Sequence, residues 1–157
     1  MLSDSNPSLS DSDELGGSVV GEYEVIRLIG RGTFSRVYEA RSRESDERVA
    51  LKIIKNTQSS RQKFDSVCIF ETELDSLMRI SSHENVLKLI DAFETADQSL
   101  VIVSEYCDSG DLFGLIRQRG RLSELECKLI LRSLLRGLLH IHTKHRISHR
   151  DLKLENV

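Results

Sequence analysis

A chain of 157 residues, 39% hydrophobic and 30% charged, is long enough for one domain with a real core. Its net charge of −3 comes without any basic stripe, which argues against nucleic acid as a main partner. Three widely spaced cysteines, Cys68, Cys107 and Cys127, form no C-x-x-C and are expected to be buried or half-buried thiols of a reducing compartment, not a disulfide frame or a zinc site. No apolar run reaches membrane-spanning length and no signal-type leader opens the chain. The expectation is therefore a soluble intracellular protein, cytoplasmic or nuclear, with no membrane partner.

Residues 1–21 are rich in Ser, Asp and Gly and poor in large apolar groups, so a disordered acidic tail is expected there. Within it Ser10 and Ser12 lie among Asp11, Asp13 and Glu14, a setting that suits acid-directed phosphorylation. From Glu22 the pattern turns to period two. Tyr23, Val25, Leu28 and Ile29 lead into Gly30-Arg31-Gly32-Thr33-Phe34-Ser35, and Val37-Tyr38-Glu39-Ala40 leads out: strand, glycine turn, strand. Gly30 and Gly32 let the backbone approach phosphate oxygens closely, with amide N–H groups as donors. In a dinucleotide-binding Gly-x-Gly-x-x-Gly loop the glycines open a helix, whereas β-type sequence continues here. No Gly-Lys-Ser/Thr follows to make a Walker A loop.

A polar turn leads to the next strand at 48–54, where alternation puts Ala50 and Lys52 on one face. Residues 56–66 read as a polar loop, and Val67, Phe70, Leu74, Leu77, Met78 and Ile80 form an apolar stripe that predicts a helix over 66–80. Two further strands are expected at 86–93 and 99–103, and then a short helix at 112–119 ended by Gly120. Ser123-Glu124-Leu125-Glu126 is a capping box opening a long helix to about His142. That helix is apolar nearly all the way round, so it belongs inside a larger helical layer. His140, His142 and His145 do not share the spacing that turns helical side chains toward one ligand, and are expected to be structural.

The last stretch, His149-Arg150-Asp151-Leu152-Lys153-Leu154-Glu155-Asn156, offers a carboxylate, a cation and an amide. Those groups can orient a hydroxyl nucleophile, neutralise a transferring phosphoryl group and hold a metal ion. The string resembles the H-R-D-L-x-x-x-N catalytic loop of protein kinases, with the lysine usual in the serine/threonine type. The resemblance covers about residues 23–157. It implies an α+β fold: a five-stranded antiparallel small lobe with one main helix (22–104), a hinge (105–111) and the first helices of a large lobe (112–157). It also implies ATP and Mg²⁺ as cofactors and a protein as substrate.

Carried onto these residues, the resemblance makes Gly30 and Gly32 a kinase glycine-rich loop, with Ser35 standing where a third glycine is usual. Ile29, Val37 and Ala50 would enclose adenine, and Lys52, in a Val-Ala-Leu-Lys strand motif, would reach the α/β-phosphates. Its partner would be Glu73 rather than Glu71, counting back from His83-Glu84-Asn85, which is similar to the family's His-Pro-Asn turn. Leu77 and Leu89 would pack behind the helix. In Ser104-Glu105-Tyr106-Cys107 the backbone of Glu105 and Cys107 would pair with adenine, the small Ser104 would leave room behind it, and Asp111 would accept from a ribose hydroxyl. Asp151 would orient the substrate hydroxyl, Lys153 steady the phosphoryl group and Asn156 hold Mg²⁺. No Asp-Phe-Gly or Ala-Pro-Glu follows. The 157 residues alone are thus expected to bind nucleotide poorly, transfer phosphate barely and expose a large apolar surface. The alternative expectation is a non-catalytic regulatory module that docks on another protein.

Overall fold

A computed structural model describes residues 15–32, 35–54, 60–80 and 82–157, with the backbone alone at 60–66 and 69. The period-two stretches form one antiparallel sheet: β1 (Val19–Val20), β2 (Tyr23–Arg31), β3 (Ser35–Ser42), β4 (Arg48–Ile54), β5 (Leu89–Glu94) and β6 (Leu100–Glu105), in the order β1-β2-β3-β4-β6-β5. Five of these are the expected strands. One face of the sheet carries the core, with Val25, Tyr38, Ala40, Val49, Leu51, Val101 and Val103 all buried. Each fully buried Val or Leu contributes about 1.5–3 kcal/mol from its apolar surface. The sheet curls, because Tyr23 of β2 stacks on Phe93 of β5 at 6.1 Å although three strands lie between them.

The sixth strand corrects the reading of a disordered tail over residues 15–21, while residues 1–14 lie outside the described residues. Gly17 and Gly21 take positive φ (81° and 58°) and turn the chain back, so that Gly17 N–H donates to Val25 O and Val25 N–H donates to Ser18 O, both at 2.8 Å. Leu15 and Val20 then pack on the core. The Ser and Gly there serve as turn residues, which composition alone does not separate from disorder. Ser10 and Ser12 lie outside the described residues.

Helix α1 (Ser60–Ile80) starts six residues before the expected boundary. Its first turns read Ser-Arg-Gln-Lys, which includes good helix formers but no apolar period to reveal them. Helix α2 (Leu112–Arg119) is N-capped by Asp111, and α3 (Glu124–Leu139) by Ser123 through the full capping box with Glu126. The expected continuation of α3 to His142 becomes a π turn (His140–Lys144). There His140 lies between the rings of His83 and His145, at 4.7 and 4.8 Å. Burial, and then the nearby His83, His145 and Lys144, hold its pKa below the ordinary value.

The cysteines also depart from expectation, since Cys68, Cys107 and Cys127 are all free and exposed. No helix among the described residues is long and apolar enough to cross a membrane.

Helix α3 meets the turn after α1 at Gly137, which is buried, and a Cβ placed there would lie 2.6 Å from the Asn85 carbonyl oxygen. Gly137→Ala gains up to ~1 kcal/mol of helix propensity and incurs about 1–3 kcal/mol of overpacking against rigid backbone. The expected outcome is a lower denaturation midpoint in urea; an unchanged or higher midpoint would show that the contact gives way freely.

Candidate functional site

Strand register assembles the site. On the face opposite the core, Gly30 pairs with Val37, Val37 with Lys52 and Lys52 with Ile102, forming one row across four strands. The neighbouring row runs Arg27, Glu39, Ala50, Ser104. A cavity of about 470 Å³ lies beneath these rows, and the expected Ile29, Val37, Ala50, Lys52, Glu73, Glu105, Cys107 and Asn156 all line it. Ser104, 8% exposed, sits at its back.

Lys52 projects from β4 toward α1, where its Nζ donates to Glu73 Oε1 at 2.7 Å and also to Oε2. Glu71 is exposed, as expected of a residue turned about 200° round the helix from Glu73. The pair is about one-third exposed on each side, so it adds ~1 kcal/mol or less to stability. What it does is hold an ammonium at a defined point over the cavity. Behind it Leu77 of α1 also lines the cavity, while Leu89 is half-buried on β5 opposite Ser104.

The glycine turn connects β2 to β3 as a strand–turn–strand, with Gly32 N–H donating to Ser35 O at 2.9 Å. A Cβ on Gly32 would lie 2.7 Å from Ser35 Oγ, so a side chain there would turn the serine hydroxyl aside. Thr33 and Phe34 lie outside the described residues. After β6 the chain is held by Glu105 N–H donating to Lys88 O at 3.0 Å and by Lys88 N–H donating to Glu105 Oε1 at 2.7 Å. Asp111 accepts from Gly114 N–H at 2.6 Å as the cap of α2. It faces a second, adjoining cavity of about 550 Å³ rather than the first, and Asn156 and Glu73 belong to both.

The terminal string folds back on itself. Asn156 Nδ2 donates to the Asp151 carbonyl at 2.7 Å and to its Oδ2 at 3.0 Å, and Lys153 Nζ lies 3.2 Å from the same Oδ2. Arg150 sits at φ 62°, a left-handed conformation that a non-glycine residue rarely takes. The Lys153 hydrogen bond, then that of Asn156, hold the Asp151 carboxyl below its ordinary value. With Nδ2 engaged, Asn156 Oδ1 is left as a hard oxygen donor beside the cavity, the kind a Mg²⁺ that keeps its waters requires. Among the described residues no group of three or more His, Cys, Asp or Glu could hold a metal by itself. Asn156 therefore fits as one ligand of a metal that brings other oxygens with it.

Several lining residues were not singled out from sequence: Leu87, Ile102, Tyr106 and Glu155. Ile102 shares the parity of Ser104 on β6, a signal that was present. Leu87 lies in irregular backbone, where no period applies.

Residues 23–157 match the family model for the protein kinase domain. Among curated proteins, the chain is 35% identical over 136 residues to mouse Serine/threonine-protein kinase 36, covering 87% of this chain and 10% of that one. It is 37% identical over 139 residues to zebrafish Serine/threonine-protein kinase H1 homolog (88% and 31%). It is 37% identical over 140 residues to fission-yeast Serine/threonine-protein kinase cds1 (86% and 29%). The chain thus spans about a tenth to a third of the length of these relatives.

Replacing Asn156 with Ala removes one of the two side-chain donors that hold the Asp151 carboxyl below its ordinary value. The Asp151 titration midpoint, followed by carboxyl ¹³C NMR, is expected to move upward toward the usual aspartate range; a midpoint that stays put would mean Asn156 does not engage the carboxylate in solution.

Proposed function

The chain belongs to the protein kinase family, of the serine/threonine type, and we propose on that footing that its cavity takes ATP and that its terminal string serves transfer of the γ-phosphoryl group to a serine or threonine of a protein. The observation that carries this reading is that Lys52, paired with Glu73, and Asn156, tied to Asp151, open onto one cavity. Val37 and Ala50 give that cavity an apolar ceiling for a planar base. The backbone of Glu105 and Cys107 supplies an acceptor and a donor at its edge. Lys52 steadies the α/β-phosphates, and the Glu73 carboxylate keeps it extended. Asp151, ionised, accepts the proton of the incoming hydroxyl, and Lys153 offsets charge on the moving phosphoryl group. Asn156 Oδ1 would be a protein ligand for Mg²⁺, which when bound would neutralise charge on the phosphate oxygens. Such chemistry belongs in the ATP-containing interior of a cell.

The 157 residues include no Asp-Phe-Gly, so phosphate transfer by these residues alone is proposed to be weak. A second reading is a non-catalytic module that binds another protein through α3. Leu125, Leu129, Leu131, Leu135 and Leu139 all stand more than half exposed there. Size-exclusion chromatography with pull-down separates the two readings, since a clean monomer without a partner goes against the module.

Transfer is tested with radiolabelled Mg²⁺-ATP and a serine/threonine peptide mixture. Asp151→Asn is expected to lower the rate by about 10²–10⁴-fold while leaving nucleotide affinity nearly unchanged, as loss of a group acting on the proton should. Equal rates for variant and parent, both well above a protein-free control, would remove Asp151 from the chemistry. Independently, the buried Ser104 should admit ATP analogues enlarged on the adenine N6 side. Ser104→Met is expected to exclude those analogues at least tenfold more than ATP itself, on the scale of a methylene-sized clash in a closed pocket. Equal affinities would place the adenine elsewhere.

A further inference from the structure

One buried charge in the small lobe has no part in the chemistry above. Glu39 is 5% exposed, on β3, in the cavity-face row between Arg27 and Ala50. Its neighbours on that face, Val37 and Ala50, are apolar, and a buried carboxylate is costly unless charges and hydrogen bonds compensate it. Two arginines do so. Arg27 Nη2 lies 2.7 Å from Glu39 Oε2, and Arg48 Nη1 lies 3.5 Å from Oε1. A bulge in β2 at residue 26 turns Arg27 to this face, since Val25 pairs with Ala40 but Arg27 with Glu39.

Both arginines then continue to the hinge. Arg27 Nη2 donates to the Tyr106 hydroxyl at 3.1 Å, the Arg48 guanidinium lies over the Tyr106 ring at 4.9 Å, and Arg48 Nη2 donates to Asp108 at 3.3 Å. Burial pushes the Glu39 carboxyl up. The adjacent Tyr106 hydroxyl, then the paired Arg27 and Arg48 guanidiniums, more than reverse this and leave Glu39 below its ordinary value.

The hinge needs such a tie. The ladder between β4 and β6 ends at Val49 and Glu105, so Tyr106 and Cys107 lie past the last strand pairing. Tyr106 sits between the two residues whose backbone faces the proposed adenine.

We propose that Glu39 is a positioning residue for the nucleotide: through Arg27, Arg48 and Tyr106 it holds the hinge against the cavity face of the sheet, and so sets where the backbone of Glu105 and Cys107 meets the base. The part that concerns nucleotide rests on the reading that the cavity takes an adenine nucleotide.

The test compares Glu39→Leu, Glu39→Gln and Tyr106→Phe with the parent chain. It reads affinity for a fluorescent ADP analogue, amide hydrogen exchange at residues 105–107, and the thermal midpoint. Glu39→Leu matches the apolar row and should keep the midpoint near that of the parent. It should nonetheless weaken nucleotide binding about tenfold, on the scale of residues that act on a ligand through others, and speed exchange at 105–107. Tyr106→Phe, which removes one oxygen, should show a smaller change in the same direction. A purely structural glutamate gives the opposite pattern, an altered midpoint with unchanged affinity and unchanged hinge exchange, and that overturns the proposal. If the parent itself takes no nucleotide, the reading of the cavity fails and hinge exchange alone decides. Faster exchange in both Glu39 variants upholds the hold on the hinge, and unchanged exchange refutes it.

Discussion

The pairing of β4 between β3 and β6 decides which residues are core and which are chemistry. Val49, Leu51 and Ile53 point into the closed side of the curled sheet, and Ala50 and Lys52 point out of the other. A slip of one residue would exchange the two sets, placing a lysine in the core and a leucine over the cavity. The cost of that exchange pins the register, and the register in turn lines up Val37, Lys52 and Ile102. The site is thus a by-product of the hydrophobic pattern: the same alternation that buries one side presents the other.

The polar ties around the cavity follow a different rule. Lys52 with Glu73, Asp111 with the start of α2, and Asn156 with Asp151 are all partly or wholly exposed, where ion pairs and single hydrogen bonds add little to stability. Their effect is geometric. Lys52 and Glu73 join the sheet to α1, Asp111 fixes the start of α2, and Asn156 and Asp151 hold the terminal string in its turn. Glu39 differs because it is buried, so losing its partners would leave a charge stranded.

Much of this was legible in the residues. Strands β2 to β6, the partner role of Glu73 over Glu71, and the capping box at Ser123 all follow from period, spacing and resemblance, and the structure has them. What escaped has physical reasons. The Arg27–Glu39 row depends on a bulge in β2, and a strict period of two cannot announce an extra residue. The opening turns of α1 are polar, so no apolar stripe marks them. β1 is two residues long and is held by glycine turns, whose composition looks like that of a flexible tail. The cysteines were read from the average habit of the residue type, and habit says nothing about which side of α3 or of the hinge faces outward.

The strand order has one more consequence, and it concerns assembly. The β1–β2, β2–β3, β3–β4 and β5–β6 pairs all join sequence neighbours, so each can close through a short turn. The β4–β6 seam is the exception: α1 and β5 intervene, and the chain must close a long loop before that ladder earns anything. Ala50 and Lys52 stand on one side of the seam, and Ile102 and Ser104 on the other. The cavity therefore straddles the joint with the highest entropic cost of closure in the sheet. A molecule seated there would touch both halves and act as a clasp on the folded state, strengthening it with the logarithm of its concentration over its dissociation constant.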